Sequence, residues 1–406
     1  MSNAAQFALG RLLVPLLLIV TLVFPYVGGA GWAYLLIVST LIATLLHLLL
    51  FRQLSIDAAG VLFLVAFLLI LAVYVITSRP GTTDWLFAFN FTMFVLFVPL
   101  QAIFRRHARP GNVLLVANLA LAGAVLAATV ALVQIGVLGY HRAEGYGSNP
   151  IPSSTTALLL GFLALMGFLA ASGPRRYLYL LGPVLGIVVV LLAGSRGPLL
   201  GAAALLTLSL LMIPKNRWLG GAALAAVVAI AVAGLLLVPE YFGRVSRLVP
   251  MLEELLSGRP ISESSGSIRF QIFEGSLRAF ADSPWIGHGW GAKNAVVDSY
   301  LAEPVLVSPS YHLHSDILTF AVTGGIVGLI AYLLVLLAPL LGAFRSERDG
   351  QFGARAYGAA ALVVGYAACG TVNLLFGFEY LTTFYILLAA ILLGFCRDQP
   401  VSEAAR

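Results

Sequence analysis

The chain has 406 residues, of which 60% are hydrophobic and only 10% are charged, and its mean hydropathy is +0.99. Water-soluble domains are far more polar, so this composition excludes a soluble enzyme or binding module and indicates a polytopic membrane protein. The net charge of +6 comes largely from arginines in predicted cytoplasmic loops, so it does not indicate a nucleic-acid partner. Cys369 and Cys396 both lie within predicted spans, which favours packing roles over a disulfide framework or a metal site.

Windows of about 20 apolar residues predict twelve membrane-spanning helices. Nine of them precede a long hydrophilic segment and three follow it. The predicted spans are Arg11–Val27, Trp32–Phe51, Ala58–Thr77, Trp85–Phe104, Asn112–Gly136, Ser153–Ser172, Tyr177–Gly194, Pro198–Ile213, Trp218–Val238, His312–Leu341, Tyr357–Leu375 and Tyr380–Cys396.

The distribution of basic residues predicts the orientation of these spans, because cytoplasmic loops are enriched in arginine and lysine. With the N-terminus inside, the inner loops hold most of the basic residues, and the short outer loops hold only Arg79, Arg142 and Arg196. This asymmetry predicts a multi-pass protein with both termini in the cytoplasm. The first span is predicted to be an anchor and not a signal peptide, since its positive n-region is weak and its removal would invert every later loop.

The predicted spans divide the chain into four parts. These are residues 1–238 with helices one to nine, residues 239–311 as a large periplasmic loop, residues 312–397 with the last three helices, and residues 398–406 as a cytoplasmic tail. Apolar positions at helical spacing predict two amphipathic helices in the loop, Arg244–Leu256 and Ser267–Ala281. Ordered loops of this length are usually functional.

Ionisable residues stand where the long loop meets the tenth predicted span. His312, His314 and Asp316 occupy this boundary, and ionisable groups close to hydrocarbon are disfavoured by about 2.5 kcal/mol or more. Arg196 is a second candidate, in a tight turn between the seventh and eighth spans. The positive-inside rule makes an arginine at the outer boundary unexpected. These positions are therefore candidates for function.

The order of several motifs along the chain resembles a known family. The motifs are Asn149-Pro150, then Ser195-Arg196-Gly197, then Arg269 followed by Pro284, Gly287 and Gly289, then His314 with Gly325 and Gly328. This order resembles the O-antigen ligase and O-antigen polymerase superfamily of bacterial membrane glycosyltransferases, and the ligases most of all. The resemblance covers most of the second half of the chain. It departs from the family pattern at Ser315, where many members have an asparagine that could position substrate.

The resemblance implies an all-helical, GT-C-like membrane fold with about twelve transmembrane helices and a periplasmic active site in the bacterial inner membrane. The implied donor is an O-antigen glycan carried on undecaprenyl diphosphate, and the implied acceptor of the ligases is lipid A-core. No cofactor is implied.

The chemistry of such a transfer assigns roles to three candidate residues. An acceptor hydroxyl loses its proton as it attacks the anomeric carbon, and His314 suits the general base. The diphosphate leaving group gains negative charge, and the planar guanidinium groups of Arg196 and Arg269 would bind its oxygens. No Asp-x-Asp pair occurs in the chain, so we expect a metal-independent reaction, and direct attack predicts inversion of the anomeric configuration.

Other polar residues are assigned supporting roles. His312 is expected to point away from His314 whether these residues are helical or extended, and to have a supporting role in substrate binding or a structural one. Arg142 and Asn149 are further substrate-binding candidates, with hydrogen-bonded loop structure as the alternative role. The acidic residues that could orient His314, cap a helix or form an ion pair are Asp316 and Glu379.

Three other functions stay open. An O-antigen polymerase would use the same donor with a second carrier-linked repeat as acceptor. A protein O-oligosaccharyltransferase commonly has an extra C-terminal domain, for which this chain is too short. The alternative outside enzymology is a secondary transporter, but such proteins are often built as two six-span halves with polar residues at the midplane. Here the long loop follows the ninth span and the polar residues cluster at the outer boundary.

Overall fold

The computed structural model describes residues 3–27, 29–51, 56–109, 111–145, 149–213, 264–301, 304–306 and 312–397, together with isolated positions between 222 and 257. Within these ranges every regular element is a helix. The prediction of an all-helical fold is therefore confirmed.

The described helices are labelled α1 to α14 in chain order. They are α1 Asn3–Leu22, α2 Gly29–Phe51, α3 Ala58–Ile76, α4 Met93–Arg106, α5 Asn112–Gly136, α6 Pro150–Leu163, α7 Leu165–Ala170, α8 Leu181–Ala193, α9 Arg196–Met212, α10 Ser264–Asp282, α11 Lys293–Asp298, α12 Asp316–Phe344, α13 Phe352–Gly370 and α14 Glu379–Ala390. Short 3-10 stretches lead into α4 and α8, and a π-helical stretch continues α14; they are Asp84–Phe91, Pro174–Leu180 and Ile391–Phe395.

Seven of the described helices are long and apolar enough to cross a membrane: Ala58–Ile76, Asp84–Arg106, Asn112–Gly136, Pro150–Ala170, Pro174–Ala193, Asp316–Phe344 and Phe352–Gly370. Shorter apolar helices are Leu13–Leu22, Tyr34–Leu45, Arg196–Met212 and Glu379–Phe395. Every predicted span except the ninth overlaps one of these helices. Apart from isolated positions, the ninth span, Trp218–Val238, and the predicted loop helix Arg244–Leu256 lie outside the described residues. The number of twelve spans and the periplasmic position of the loop stay predictions.

The centre of the bundle is built from long helix pairs and buried aromatic rings. Helix α12 packs along α3, α6 along α8, and α13 along α9. The rings of Tyr366, Phe376 and Tyr385 pack against one another in tilted and edge-to-face arrangements, with centroids 4.6 to 5.3 Å apart. A helix satisfies its own backbone hydrogen bonds along its length. Backbone N–H and C=O groups therefore need other partners only at helix ends and breaks.

Such a break occurs in α12 at Gly325, whose φ of 58° and ψ of −147° are not helical. This left-handed conformation favours glycine. The turn 284–289 lies directly against the break, since a Cβ atom added at Gly325 would lie 2.4 Å from the carbonyl carbon of Trp285. A Cβ atom at Gly287 would likewise lie 2.6 Å from the backbone nitrogen of Gly324. The glycines on both sides therefore permit the backbones to touch.

Four backbone hydrogen bonds join the turn 284–289 to the broken helix. The helix donates two of them and the turn donates the other two. They run from Ile326 N–H to Pro284 O (2.7 Å), from Val327 N–H to Trp285 O (3.3 Å), from His288 N–H to Val322 O (2.8 Å) and from Gly289 N–H to Thr323 O (3.0 Å). The turn thus supplies the partners that the break removes, and it fixes the residues after it against the bundle.

The start of α12 differs from the prediction. The tenth span was predicted to begin at His312, whereas the helix begins at Asp316 with Ser315 as its N-cap. Ser315 is extended (φ −156°, ψ 130°), and its side chain accepts a hydrogen bond from the N–H of Leu318 at 3.4 Å. His312 and His314 therefore lie on the non-helical segment before the span.

Helix α10 confirms the predicted loop helix Ser267–Ala281, although its apolar stripe is only partly buried. Ile272 is buried together with the small residues Ser276 and Ala279, whereas Leu277, which was placed on the same stripe, is 59% exposed. Small residues allow close packing against neighbouring backbone. The buried side of the helix therefore follows its small residues as well as its apolar ones.

Candidate functional site

The histidines singled out in the sequence lie at the end of the bundle where the loop meets α12. His314 directly precedes the N-cap Ser315 and is half-buried. Its φ of 52° makes it the only non-glycine residue with a left-handed backbone in the described part of the chain. Such conformations cost about 1–3 kcal/mol and are concentrated at functional sites. The fold therefore holds this histidine in a strained position.

The imidazole rings of His312 and His314 lie side by side, with centroids 5.7 Å apart and planes inclined by 65°. The expectation that His312 points away from His314 is wrong. It assumed that residues two apart face different ways in a helix and in an extended segment alike, but the helix begins only at Asp316, and in an extended segment residues two apart face the same side. His312 therefore belongs to the same cluster as His314.

Burial and positive neighbours keep both imidazoles neutral. Burial, which has the largest effect, together with the charges of Arg269 and His312 lowers the pKa of His314 to about 4. Burial also lowers the pKa of His312, assisted by the charge of Lys293. At neutral pH both rings can therefore accept a proton.

Helix α10 carries two arginines in different surroundings. Arg269 is half-buried and close enough to His314 to lower the pKa of that imidazole. The side chain of Arg278 is 57% exposed and forms an ion pair with Glu274 of the same helix at 2.6 Å. The structure therefore brings Arg269, and not Arg278, to the histidines.

Arg269, Lys293, His312 and His314 form one cluster of basic side chains. Lys293 is the member that was not among the predicted site residues. It is the first residue of α11, only 6% exposed, and its Nζ lies 4.6 Å from the ring centroid of Trp290. Burial lowers the pKa of Lys293 to about 8. A sequence signal did exist, since the chain has only two lysines, Lys215 and Lys293, and only Lys293 falls in the long loop.

Asp316 fastens the start of α12 to the turn between α13 and α14. Its side chain is fully buried, and its Oδ1 accepts hydrogen bonds from the N–H groups of Leu375 at 2.7 Å and Phe376 at 3.1 Å. Asp316 therefore holds the backbone next to His314. The other acidic candidate, Glu379, is the first residue of α14 and is half-buried.

Arg196 begins α9 in a tight turn, directly after Gly194 and Ser195. Gly194 has a φ of 57° and ends α8. A Cβ atom at Gly197 would overlap the Asn373 side chain at 1.8 Å, so the start of α9 touches the turn 371–378 that Asp316 also holds. The structure thus links the segments of Arg196 and His314 through one turn.

Arg142 and Asn149 both take part in local structure. The Nε of Arg142 donates to the carbonyl of Ala193 at 2.8 Å, and its Nη2 donates to the Oγ of Ser195 at 3.4 Å. Arg142 therefore holds the turn that carries Arg196. Asn149 is the N-cap of α6 and its Oδ1 accepts from the N–H of Ile151 at 3.1 Å, which is the loop role named as its alternative.

The chemistry of the cluster suits an anionic ligand. Guanidinium and ammonium groups lie here beside two neutral imidazoles; the cations attract phosphate oxygens, and each imidazole has one N–H that can donate a hydrogen bond to them. Among the described residues, no group of three or more His, Cys, Asp or Glu side chains could hold a metal ion.

Comparison with known proteins identifies the region that contains this site. Residues 181–333 match the family described as O-antigen ligase. The matched region runs from the start of α8 into α12. It contains every member of the cluster and the first residue of α9, namely Arg196, Arg269, Lys293, His312 and His314.

Two relatives extend this comparison. The chain is 29% identical over 230 residues to the O-antigen ligase of Pseudomonas aeruginosa, a match that covers 53% of this chain and 48% of the relative. It is 24% identical over 348 residues to an uncharacterized protein of Haemophilus influenzae, covering 81% of this chain and 83% of that protein. The chain thus spans about half the length of the Pseudomonas relative. The family match and the Pseudomonas relative together confirm that this chain resembles the O-antigen ligase family.

Proposed function

We propose that this protein is a membrane glycosyltransferase of the O-antigen ligase type. It transfers a glycan from undecaprenyl diphosphate to a hydroxyl of lipid A-core at the periplasmic face of the inner membrane. The observation that carries the proposal is the position of Arg269 beside the paired imidazoles of His312 and His314, within the region that matches the family. A fixed cation beside a neutral histidine suits transfer from a diphosphate donor.

His314 acts as the general base in this proposal. In the free protein its pKa of about 4, lowered first by burial and then by Arg269, leaves the imidazole neutral but weakly basic. A diphosphate bound beside Arg269 offsets the positive charge and so raises the pKa of His314. The donor thereby strengthens the base that removes the proton from the acceptor hydroxyl.

Arg269 and Arg196 bind the leaving diphosphate. Bond breaking at the anomeric carbon leaves the electron pair on the diphosphate oxygen, and a fixed guanidinium stabilises that charge without reorganisation. Arg269 stands beside the base. The start of α9 with Arg196 reaches the same end of the bundle through the turn 371–378, and Arg142 holds this start in place.

The reaction is metal-independent and inverting in this proposal. The arginines neutralise the negative charge that develops on the leaving diphosphate. In many other glycosyltransferases a cation bound to an Asp-x-Asp pair does this, and no such pair occurs in the chain. Direct attack of the deprotonated hydroxyl on the anomeric carbon, opposite the diphosphate, inverts the configuration. Activity in the presence of EDTA and the anomeric configuration of the product check these two features.

Deletion of the gene in its bacterial host tests the proposed function. A ligase deletion leaves long glycan chains accumulated on the carrier lipid and lipid A-core without glycan, and expression of this chain restores attachment. Core capped by a single repeat would instead identify a polymerase. Unchanged lipopolysaccharide would contradict both.

A further inference from the structure

We infer that Lys293 is an additional ligand for a phosphate group of a lipid substrate, next to the site of His312 and His314. The four side chains form a row, in which Arg269 is close to His314, the ring of His314 lies edge-on beside that of His312, and His312 is close to Lys293. This inference rests on the proposed function, because it assigns a further residue to the phosphate-binding part of the same site.

The position of Lys293 is fixed by aromatic packing. Its ammonium lies 4.6 Å from the ring centroid of Trp290, close enough for a cation–π contact. Trp290 is itself held among Tyr74, Phe87 and Phe91, with ring centroids 6.1 to 6.2 Å away. A cation held in this way can bind a ligand without first losing much side-chain freedom.

No carboxylate of the described residues pairs with Lys293, although several lie on the elements around it. Each of these carboxylates is engaged elsewhere. Asp298 of α11 accepts hydrogen bonds from the backbone of Val305 and Leu306, Asp84 pairs with Arg79, Glu274 of α10 pairs with Arg278, Asp282 of α10 bonds the hydroxyl of Tyr300, and Asp316 of α12 bonds the turn 375–376.

A buried ammonium without a carboxylate partner is unfavourable to the fold. Burial lowers the pKa of Lys293 to about 8, and the neighbouring groups His312, His314 and Arg269 add no negative charge. A phosphate oxygen would supply the missing partner and favour the charged lysine. Lysine is a compact point charge suited to such an oxygen, and Arg269 at the other end of the row supplies a planar fork.

The phosphate could belong to either of two substrates. The diphosphate of the polyprenyl donor is the group that must lie beside Arg269 and His314, and phosphorylated sugars of a lipid A-core acceptor offer the same chemistry. Steady-state kinetics with both substrates distinguish the two sources. An increase in KM for the donor alone assigns Lys293 to the diphosphate, and an increase in KM for the acceptor alone assigns it to an acceptor phosphate.

The test uses the full-length purified protein and farnesyl diphosphate as the probe. Its Kd is measured between pH 6.5 and 9.5 for the wild type, Lys293→Met, Lys293→Arg and the control Arg278→Gln. We expect Lys293→Met to weaken binding of the probe, or of the phosphorylated acceptor, about tenfold or more. Arg278→Gln should bind as the wild type does, since Arg278 is exposed and already paired.

The pH profile separates a ligand from a purely structural lysine. As pH rises through about 8, the ammonium loses its proton, so wild-type binding should weaken there. Lys293→Arg keeps its charge and should bind tightly up to pH 9.5, whereas Lys293→Met should lack this step. Equal affinity, equal KM values and equal pH profiles for the wild type and Lys293→Met would overturn the inference.

The same measurements keep the two proposals apart. A wild-type protein that binds farnesyl diphosphate and transfers glycan, with Lys293→Met unchanged, refutes only the role of Lys293. A folded wild-type protein that neither binds the probe nor transfers glycan refutes the proposed function and this inference with it. Thermal unfolding of each variant shows that it is folded, and Lys293→Arg retains a charged side chain should Lys293→Met fail to fold.

Discussion

The two ends of the helix bundle hold their basic side chains in different ways. At the end opposite the site, the side chain of Arg355 is only 3% exposed and makes two hydrogen bonds to Asp349, at 2.8 and 2.9 Å. Arg105 of α4 pairs with Asp57, the N-cap of α3. These arginines form ion pairs with carboxylates of the protein itself, so they position helix ends and need no ligand.

At the site end, Arg269, His314, His312 and Lys293 lie next to one another. Burial first, and positive neighbours second, lower the pKa of both imidazoles, so the cluster disfavours further positive charge. Among the described residues no carboxylate pairs with the buried Lys293, whose ammonium lies against the ring of Trp290, and a bound phosphate would supply that partner. The two ends therefore differ in what surrounds a buried cation: a carboxylate of the protein for Arg355 and an aromatic ring for Lys293.

Replacing His314 by alanine should have the largest effect, because removal of a general base slows a reaction about 10²–10⁴-fold. His141 is the matched control, an exposed histidine on the loop between α5 and α6. In a strain without the native copy, His314→Ala should reach the membrane at normal levels but leave lipid A-core without glycan, while His141→Ala restores it. Normal lipopolysaccharide from His314→Ala would remove this residue from the mechanism.

The next largest effect should be a difference in kcat between substitutions of the two arginines of α10. Arg269→Gln should lower kcat about 10²–10³-fold, because a fixed charge at the leaving group is lost. Arg278→Gln should leave kcat unchanged, since an exposed pair contributes little. Initial rates of glycan transfer in membrane vesicles measure both variants. Equal losses from the two substitutions would mean that helix α10 contributes only general positive charge.

Arg355→Gln should show the opposite pattern to Arg269→Gln. It leaves Asp349 without its buried partner and should cost about 3 kcal/mol of stability, while kcat per folded molecule stays the same. Thermal unfolding in detergent, followed by a transfer assay on the folded fraction, measures the two quantities. A lower kcat at unchanged stability would show that the paired end takes part in the reaction.

The smallest expected effect is a difference between two pH profiles. His314 acts as a base only when neutral, so kcat/KM for the donor, which reports the free protein, should fall as pH drops through about 4. In the complex the diphosphate raises the pKa of His314, so kcat should fall at a higher pH. Tryptophan fluorescence over the same range shows that the protein stays folded. Coinciding acid limbs would argue against a diphosphate next to His314.

Much of the fold could be predicted from the sequence, because hydropathy alone places a helix wherever about 20 apolar residues follow one another. The motif order also selected Arg269 over Arg278, and the structure places Arg269 beside His314. Both predictions rest on patterns that are local or already ordered along the chain, and the role of Arg269 stays a proposal.

The rest depends on contacts between distant segments. Lys293 follows the turn 284–289, which docks at the break in α12, and it is buried with its ammonium against Trp290; no local pattern reveals this. The start of α12 was misplaced because Ser315 is its N-cap, so the helix begins at Asp316, four residues after the predicted start at His312, and the predicted orientation of His312 was wrong with it. Asp316 finds its partners at Leu375 and Phe376, 59 and 60 residues away. Such pairings follow from tertiary packing and not from propensity.

Glycan transfer by the purified protein is the most direct test of the central claim. The protein is reconstituted in liposomes with undecaprenyl-diphosphate-linked O-antigen and lipid A-core as its only substrates, in the presence of EDTA. We expect the wild type to attach glycan to lipid A-core, and His314→Ala to bind farnesyl diphosphate equally well yet attach none. Attachment by His314→Ala at the wild-type rate, or no attachment by a folded wild-type protein, would contradict the proposed mechanism.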